Sequence, residues 1–125
     1  MNELCQKSAY ALAKLIRHKE VSSAEVVKAH LDRIAEVNPA INAITIPLHE
    51  SALRQAKKAD RVFPAQNRGI FHGVPFTVKE NIDLLGTPTT QGLQAHAKAM
   101  PPRSAPIVDR MIAAGAIPIG RTNMP

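Results

Sequence analysis

Apolar positions recur at helical spacing through the first half of the chain and at strand spacing in the second. Over residues 3–18, Leu4, Ala11, Leu12, Leu15 and Ile16 share one face, which predicts a first helix. A second helix opens at a defined signal. Ser22 is placed to cap it, Glu25 completes a capping box, and Val21 with Val26 forms a hydrophobic staple. Its inward face runs through Val26, Val27, His30, Leu31, Ile34 and Val37, and it is expected to stop before Asn38-Pro39, because a residue preceding proline avoids the helical region. Residues 41–46 read as a short strand ended by Pro47. Residues 48–61 read as a third helix, weakly amphipathic through Ala52, Ala56 and Ala59, and residues 63–68 as a loop.

The period then changes. Val74, Phe76 and Val78 alternate with Pro75, Thr77 and Lys79, the pattern of a short strand that puts Lys79 at its carboxyl end on the face of Thr77. Residues 81–103 are irregular, punctuated by Gly86, Pro88, Gly92, Pro101 and Pro102. Loops of that length within a domain are usually functional or disordered, and beside Lys79 this one is expected to wall a site. Pro106 suits the first turn of a fourth helix, Gly115 its C′ position, and residues 116–120 a further strand. Strand, crossover helix and strand imply a parallel pair. Pro118 sits awkwardly there, since it removes a ladder donor and favours an edge. All six glycines fall in residues 69–125 and none in residues 1–68, so the tight turns belong to the second section. The class is α/β: amino-terminal helices followed by the first strands of a mixed sheet covered by helices.

Composition narrows the picture. At 125 residues, 45% hydrophobic and 21% charged, the chain has the make-up of one ordinary globular domain with a modest core. Aromatic residues make up only 3%, so that core is aliphatic and alanine-rich. The single cysteine, Cys5, excludes an internal disulfide and points to a reducing, cytoplasmic location. No secretory signal is evident in the first residues, and no apolar run approaches the ~20 residues of a membrane span. A net charge of +6 raises the question of nucleic acid, but the densest basic cluster is Arg54, Lys57, Lys58 and Arg61. Arg54, Lys58 and Arg61 form a helical stripe of the kind a solvated face explains, and stacking aromatics are missing. Neither a specific nucleic-acid partner nor a membrane is expected.

The candidate chemistry centres on Lys79. Strand ends in open α/β sheets are where ligands and catalytic groups collect. An amine partly desolvated there can serve as a general base, while a lysine that simply reaches to water is the competing reading. The five histidines, at positions 18, 30, 49, 72 and 96, have no ligand-pair spacing, so no metal and no cofactor are expected. Ser22 and Ser23 and the pair Thr89-Thr90 resemble nucleophiles only superficially. Ser22 is better explained as a cap and the threonines as turn residues satisfying backbone donors. His72 is expected to pack in its turn. Gly69 and Gly73 lack the Lys-Ser/Thr pair and the helix of a phosphate loop.

The run GIFHGVPFTVKENIDLLGTPTT, followed by SAPIVDRMIAAGAIPIGRTNMP, resembles the opening of the amidase signature family. The matching positions include Gly73, Pro75, Val78, Lys79, Asn81, Gly86, Thr89, Thr90, Gly115, Gly120, Thr122, Asn123 and Met124, and essentially the whole chain aligns with the family's amino-terminal portion. The resemblance implies a hydrolase of linear amides with a Ser–cis-Ser–Lys triad, Lys79 as the general base, and a small-molecule amide as substrate. The two serines and their Gly-rich loop follow the T-N-M segment in the family, and no serine of this chain takes their place. Residues 1–125 are thus expected to be the amino-terminal part of one domain, with 1–68 a helical lead-in and 69–125 the first core strands. Alone they are expected to be inactive and unstable. Met124-Pro125 sits closer to the general amidases than to the A-type subunits of tRNA-dependent amidotransferases. Leu93 stands where serine is usual and Arg121 where lysine is commoner. An inactive truncated product, a piece of such an amidotransferase and a basic interaction module are the competing readings. The sequence leaves the substrate and the oligomeric state open.

Overall fold

The computed structural model describes residues 1–62 and 69–125; the loop expected over 63–68 lies outside them. The first expected helix is divided. A 3-10 turn at Glu3–Gln6, capped by the Asn2 side chain, gives way to extended Lys7, and α1 (Ala9–Arg17) starts afresh at Ser8. Two side chains that cap well compete with one continuous helix, and Ser8 accepts the Ala11 N–H at 3.2 Å. Helix α2 (Ser23–Ile41) begins with the capping box read from Ser22 and Glu25.

Helix α2 does not stop before Pro39. The proline sits in its last turns, where its missing N–H costs a single bond, and the helix closes three residues later at Asn42 in the left-handed conformation, φ 47°. Asn38 then joins the helix to the next strand: its amide donates to Ile44 O and its oxygen accepts from Ile44 N, both at 2.8 Å. Strand β1 accordingly covers Ile44–Pro47 and α3 follows at His49–Asp60. Arg54, Lys57, Lys58 and Arg61 are all exposed on α3 and its end, as a solvated face requires.

Strand β2 (Pro75–Lys79), α4 (Pro106–Ala113) and β3 (Ile117–Thr122) complete a three-stranded sheet of order β1-β3-β2. The β2–β3 pair is parallel, as the strand–helix–strand order implied, and β1 runs antiparallel to β3. Helix α4 ends in a Schellman motif, with Gly115 at φ 90° donating to Ile112 O and Ala116 donating to Met111 O. Pro118 lies in the central strand rather than at an edge. Two features remove the difficulty: on the β2 side the ladder donor is Ile117, which gives its N–H to Val74 O at 2.8 Å, and on the β1 side pairing begins only at Gly120, beyond Pro118.

Ile117 and Ile119 of β3 pack with Val27, Leu31, Ala52 and Ala56 of α2 and α3. A second cluster joins α1 to α2 through Leu12, Ile16 and Val26, with Val74 just ahead of β2. A third places Val78 against Leu84 and Val108, with Phe76 and Ile82 beside them. The sheet is thus clasped between α2–α3 and α4. No helix among the described residues is long and apolar enough to cross a membrane.

Candidate active site

Lys79 is the last residue of β2, opposite Thr122 of β3. The alternation read from the sequence holds: Val78 is buried, Thr77 is exposed, and Lys79 is half-buried. Thr77 and Lys79 both border a cleft of about 170 Å³ whose apolar walls are Phe76, Val78, Ile82, Ile107, Val108 and Met111. Among the described residues the Lys79 amine has neither a hydrogen bond nor an ion pair.

The backbone below it is held from one side by Arg121, which is fully buried. Its Nε donates to Val78 O at 3.2 Å, and Nη2 donates to Lys79 O at 3.1 Å and Ile82 O at 2.6 Å. Nη1 donates to Thr87 Oγ1 at 2.5 Å and to Pro88 O at 2.9 Å. All five N–H groups of the guanidinium are spent, none on a carboxylate. Burial pushes the Arg121 guanidinium below its ordinary value, and the charges of Glu80 and Asp83 oppose that shift.

Glu80, 4% exposed, is held from the other side. One carboxylate oxygen accepts the Thr45 hydroxyl and the other the Thr90 hydroxyl. Burial pushes this carboxyl up, but the Thr45 and Thr90 bonds, the Arg121 charge and the Gly92 N–H together outweigh it and hold the group below the usual carboxylate range. Thr45 reaches Glu80 because a bulge in β1 makes it the residue skipped between Ile44 and Ile46.

The irregular segment folds back onto the strand end, though of its residues only Ile82 lines the cleft beside Lys79. Gln91 N donates to Glu80 O at 3.2 Å, and Thr89 Oγ1 donates to Asp83 at 2.7 Å. The two threonines therefore satisfy carboxylates, and not only backbone donors; Thr90 Oγ1 additionally accepts Gly92 N–H at 3.1 Å. Asn81 is exposed. Ser22 caps α2, and Ser23 is buried with its hydroxyl donated to Gly73 O at 2.8 Å, so neither is a nucleophile poised for attack. His72 lies within 2.9 Å of Ala59 O through Nε2, a packing role. Among the described residues, no three His, Cys, Asp or Glu side chains gather as a metal site. Burial pushes the Cys5 thiol up, and its sulfur lies 3.4 Å from Ala29 O. In the sequence Arg121 stands out only as a departure and Glu80 only as a polar neighbour of the lysine. Their partners lie 34 to 43 residues away in Thr87 and Val78 for Arg121, and 35 away in Thr45 for Glu80, with no local signal to reveal them.

The amidase family model matches residues 25–125. The indoleacetamide hydrolase of Bradyrhizobium diazoefficiens is 43% identical over 121 residues, a stretch covering 96% of this chain and 23% of that protein. The A-type polypeptide of the glutamyl-tRNA(Gln) amidotransferase of Acidothermus cellulolyticus is 38% identical over 99% of this chain and 25% of its own length. The peptide amidase of Stenotrophomonas maltophilia has a similar structure, with a TM-score of 0.85 and 28% identity over 94% of this chain and 25% of that one. The chain spans about a quarter of the length of these relatives.

Proposed function

The chain belongs to the amidase family, and we propose that Lys79 is the general base of a hydrolase that cleaves carbon–nitrogen bonds of linear, small-molecule amides. Amides resist attack because the carbonyl is a weak electrophile and the amine a poor leaving group. A serine nucleophile therefore needs a base for its proton and donors for the oxyanion. In this reading the neutral Lys79 amine accepts the nucleophile's proton through a bridging cis-serine and returns it to the departing amine. The two serines are supplied by the Gly-rich loop that follows the T-N-M segment in the family. A cytoplasmic setting, no metal and no cofactor belong to the same proposal.

The observation that supports it most is a contrast at one strand end. Arg121, Glu80, Asp83, Thr89 and Thr90 are all committed to one another or to backbone, and the Lys79 amine beside them is uncommitted among the described residues. A lysine that served only to close this network would be bonded into it.

The test is substitution in the full-length protein. Lys79→Ala should lower amide turnover about 10²- to 10⁴-fold with the fold intact. Lys79→Arg should be nearly as harmful, because guanidinium does not give up its proton at working pH. An arginine variant that keeps most of its activity removes Lys79 from the mechanism.

A second reading, transfer of the amide nitrogen to a glutamyl-tRNA, draws on the 38% identity to the amidotransferase polypeptide. Met124-Pro125 argues for water as the acceptor. Turnover of a simple amide by the purified protein without tRNA favours hydrolysis; a strict need for a charged tRNA favours transfer.

A further inference from the structure

We propose that Arg121 is a positioning residue for Lys79, fixing the two peptide planes that flank its Cα; the inference rests on the reading of Lys79 as the base. Successive carbonyls of a regular strand point to opposite sides. Here the carbonyls of Val78 and Lys79 both reach one guanidinium, at 3.2 and 3.1 Å. That geometry ends the strand at Lys79 and sets the direction in which its side chain leaves the sheet. The same group gathers Ile82 O and Pro88 O, so the turn after the strand and the loop that folds back on it are referred to a single rigid fork.

A role in stability alone does not require this arrangement. A buried cation costs free energy unless it is well paired, and an apolar side chain of similar volume often serves a core as well or better. Among the described residues Arg121 forms no salt bridge; its charge is met by carbonyl dipoles and one hydroxyl. The use to which that charge is put is convergence: five N–H groups in fixed directions select five acceptors, three of them on residues 78–82. An apolar side chain of similar length, such as methionine, has no donor and would release both flanking carbonyls and the loop together.

The Lys79 amine is the group whose placement depends on this scaffold, since none of the described residues bonds it directly. Small displacements of a catalytic group are costly: a shift of about 1 Å can lower a rate about 10²-fold. Arg121 therefore acts through Lys79, and removing it should cost nothing more once Lys79 is gone.

The experiment is a double-mutant cycle in the full-length protein with Arg121→Met, Lys79→Ala and both together. It is read on a simple amide and on an activated ester, which leaves the Lys79→Ala background measurable. Rates are normalised to active sites counted with a fluorophosphonate probe. Arg121→Met should lower kcat per active site about 10- to 100-fold with KM within about twofold. In the Lys79→Ala background the same change should lower it less than about twofold. An equal loss in both backgrounds, or a loss that disappears after normalisation, overturns the proposal and leaves Lys79 as the base. Full activity of Lys79→Ala overturns the reading beneath it. Should Arg121→Met fail to fold, Thr87→Val removes one acceptor of the fork with little change of shape and runs the same cycle, with a smaller loss of a few-fold expected in place of the larger one.

Discussion

Replacing Glu80 with glutamine should destabilise the protein by about 2–3 kcal/mol at neutral pH, and that difference should shrink in acid. The carboxylate is 4% exposed and receives the hydroxyls of Thr45 and Thr90, one on each oxygen. A hydrogen bond to a charged group contributes about 1.5–3 kcal/mol, against about 1 kcal/mol for a neutral pair. Glutamine keeps one acceptor oxygen and presents an NH₂ to the other hydroxyl, which must turn to accept. One charge-assisted bond is weakened and the other exchanged, a loss of about 1–2 kcal/mol. The buried Arg121 also loses an attractive charge, which adds about 1 kcal/mol. The pH dependence follows from the direction of the shift. The native state binds this proton less tightly than the unfolded chain, whose carboxyl titrates near ~4.3. The stabilisation is therefore complete above that value and is lost as pH falls through the lower native one. Urea unfolding of wild type and Glu80→Gln, followed by far-UV circular dichroism between pH 7.5 and 3.5, measures the difference. Because glutamine does not titrate, subtracting the two curves cancels every other carboxyl. A constant gap above about pH 6 that narrows below about 4.5 is expected. A gap that stays undiminished at the acid end, or never exceeds about 0.5 kcal/mol, refutes the role given to the carboxylate charge.

Two further substitutions test the scaffold. Gly115→Ala should destabilise by about 2 kcal/mol or more, since the residue sits at φ 90° and a Cβ there would stand 2.7 Å from His72 Cα; a loss below about 0.5 kcal/mol in urea unfolding would count against the fit. Asn38→Ala removes both bonds to Ile44 and should cost about 1–2 kcal/mol, with hydrogen-exchange protection of the Ile44 amide falling ahead of that in β3; unchanged protection would show that α2 and β1 are joined by other means.

Short-range chemistry is legible along the chain. Ser22 and Glu25 announce the start of α2, Gly115 the end of α4, and the alternation of Val74, Phe76 and Val78 the strand that ends at Lys79. The same short-range rules fall short at three places. Pro39 reads as a boundary but is tolerated in the last turns of α2. Ser8 and Asn2 divide what reads as one first helix. Pro118 is tolerated in the central strand because pairing with β1 begins only beyond it, at Gly120.

The class of fold, the parallel pairing of β2 and β3, and the lysine at a strand end are all written in the linear chain, because caps, turn glycines and period-2 alternation act within a few residues and need no distant partner. What surrounds that lysine comes from folding alone. Arg121 meets the carbonyls of Val78 and Lys79 from 42 to 43 positions away, and Thr45 meets Glu80 across 35, through bulges that turn particular side chains toward one another. Hydrogen bonds are directional and are formed between whichever groups packing brings within about 3 Å. A residue's own neighbours in the chain carry no record of that meeting, so the network around Lys79 exists only once the sheet has closed upon it.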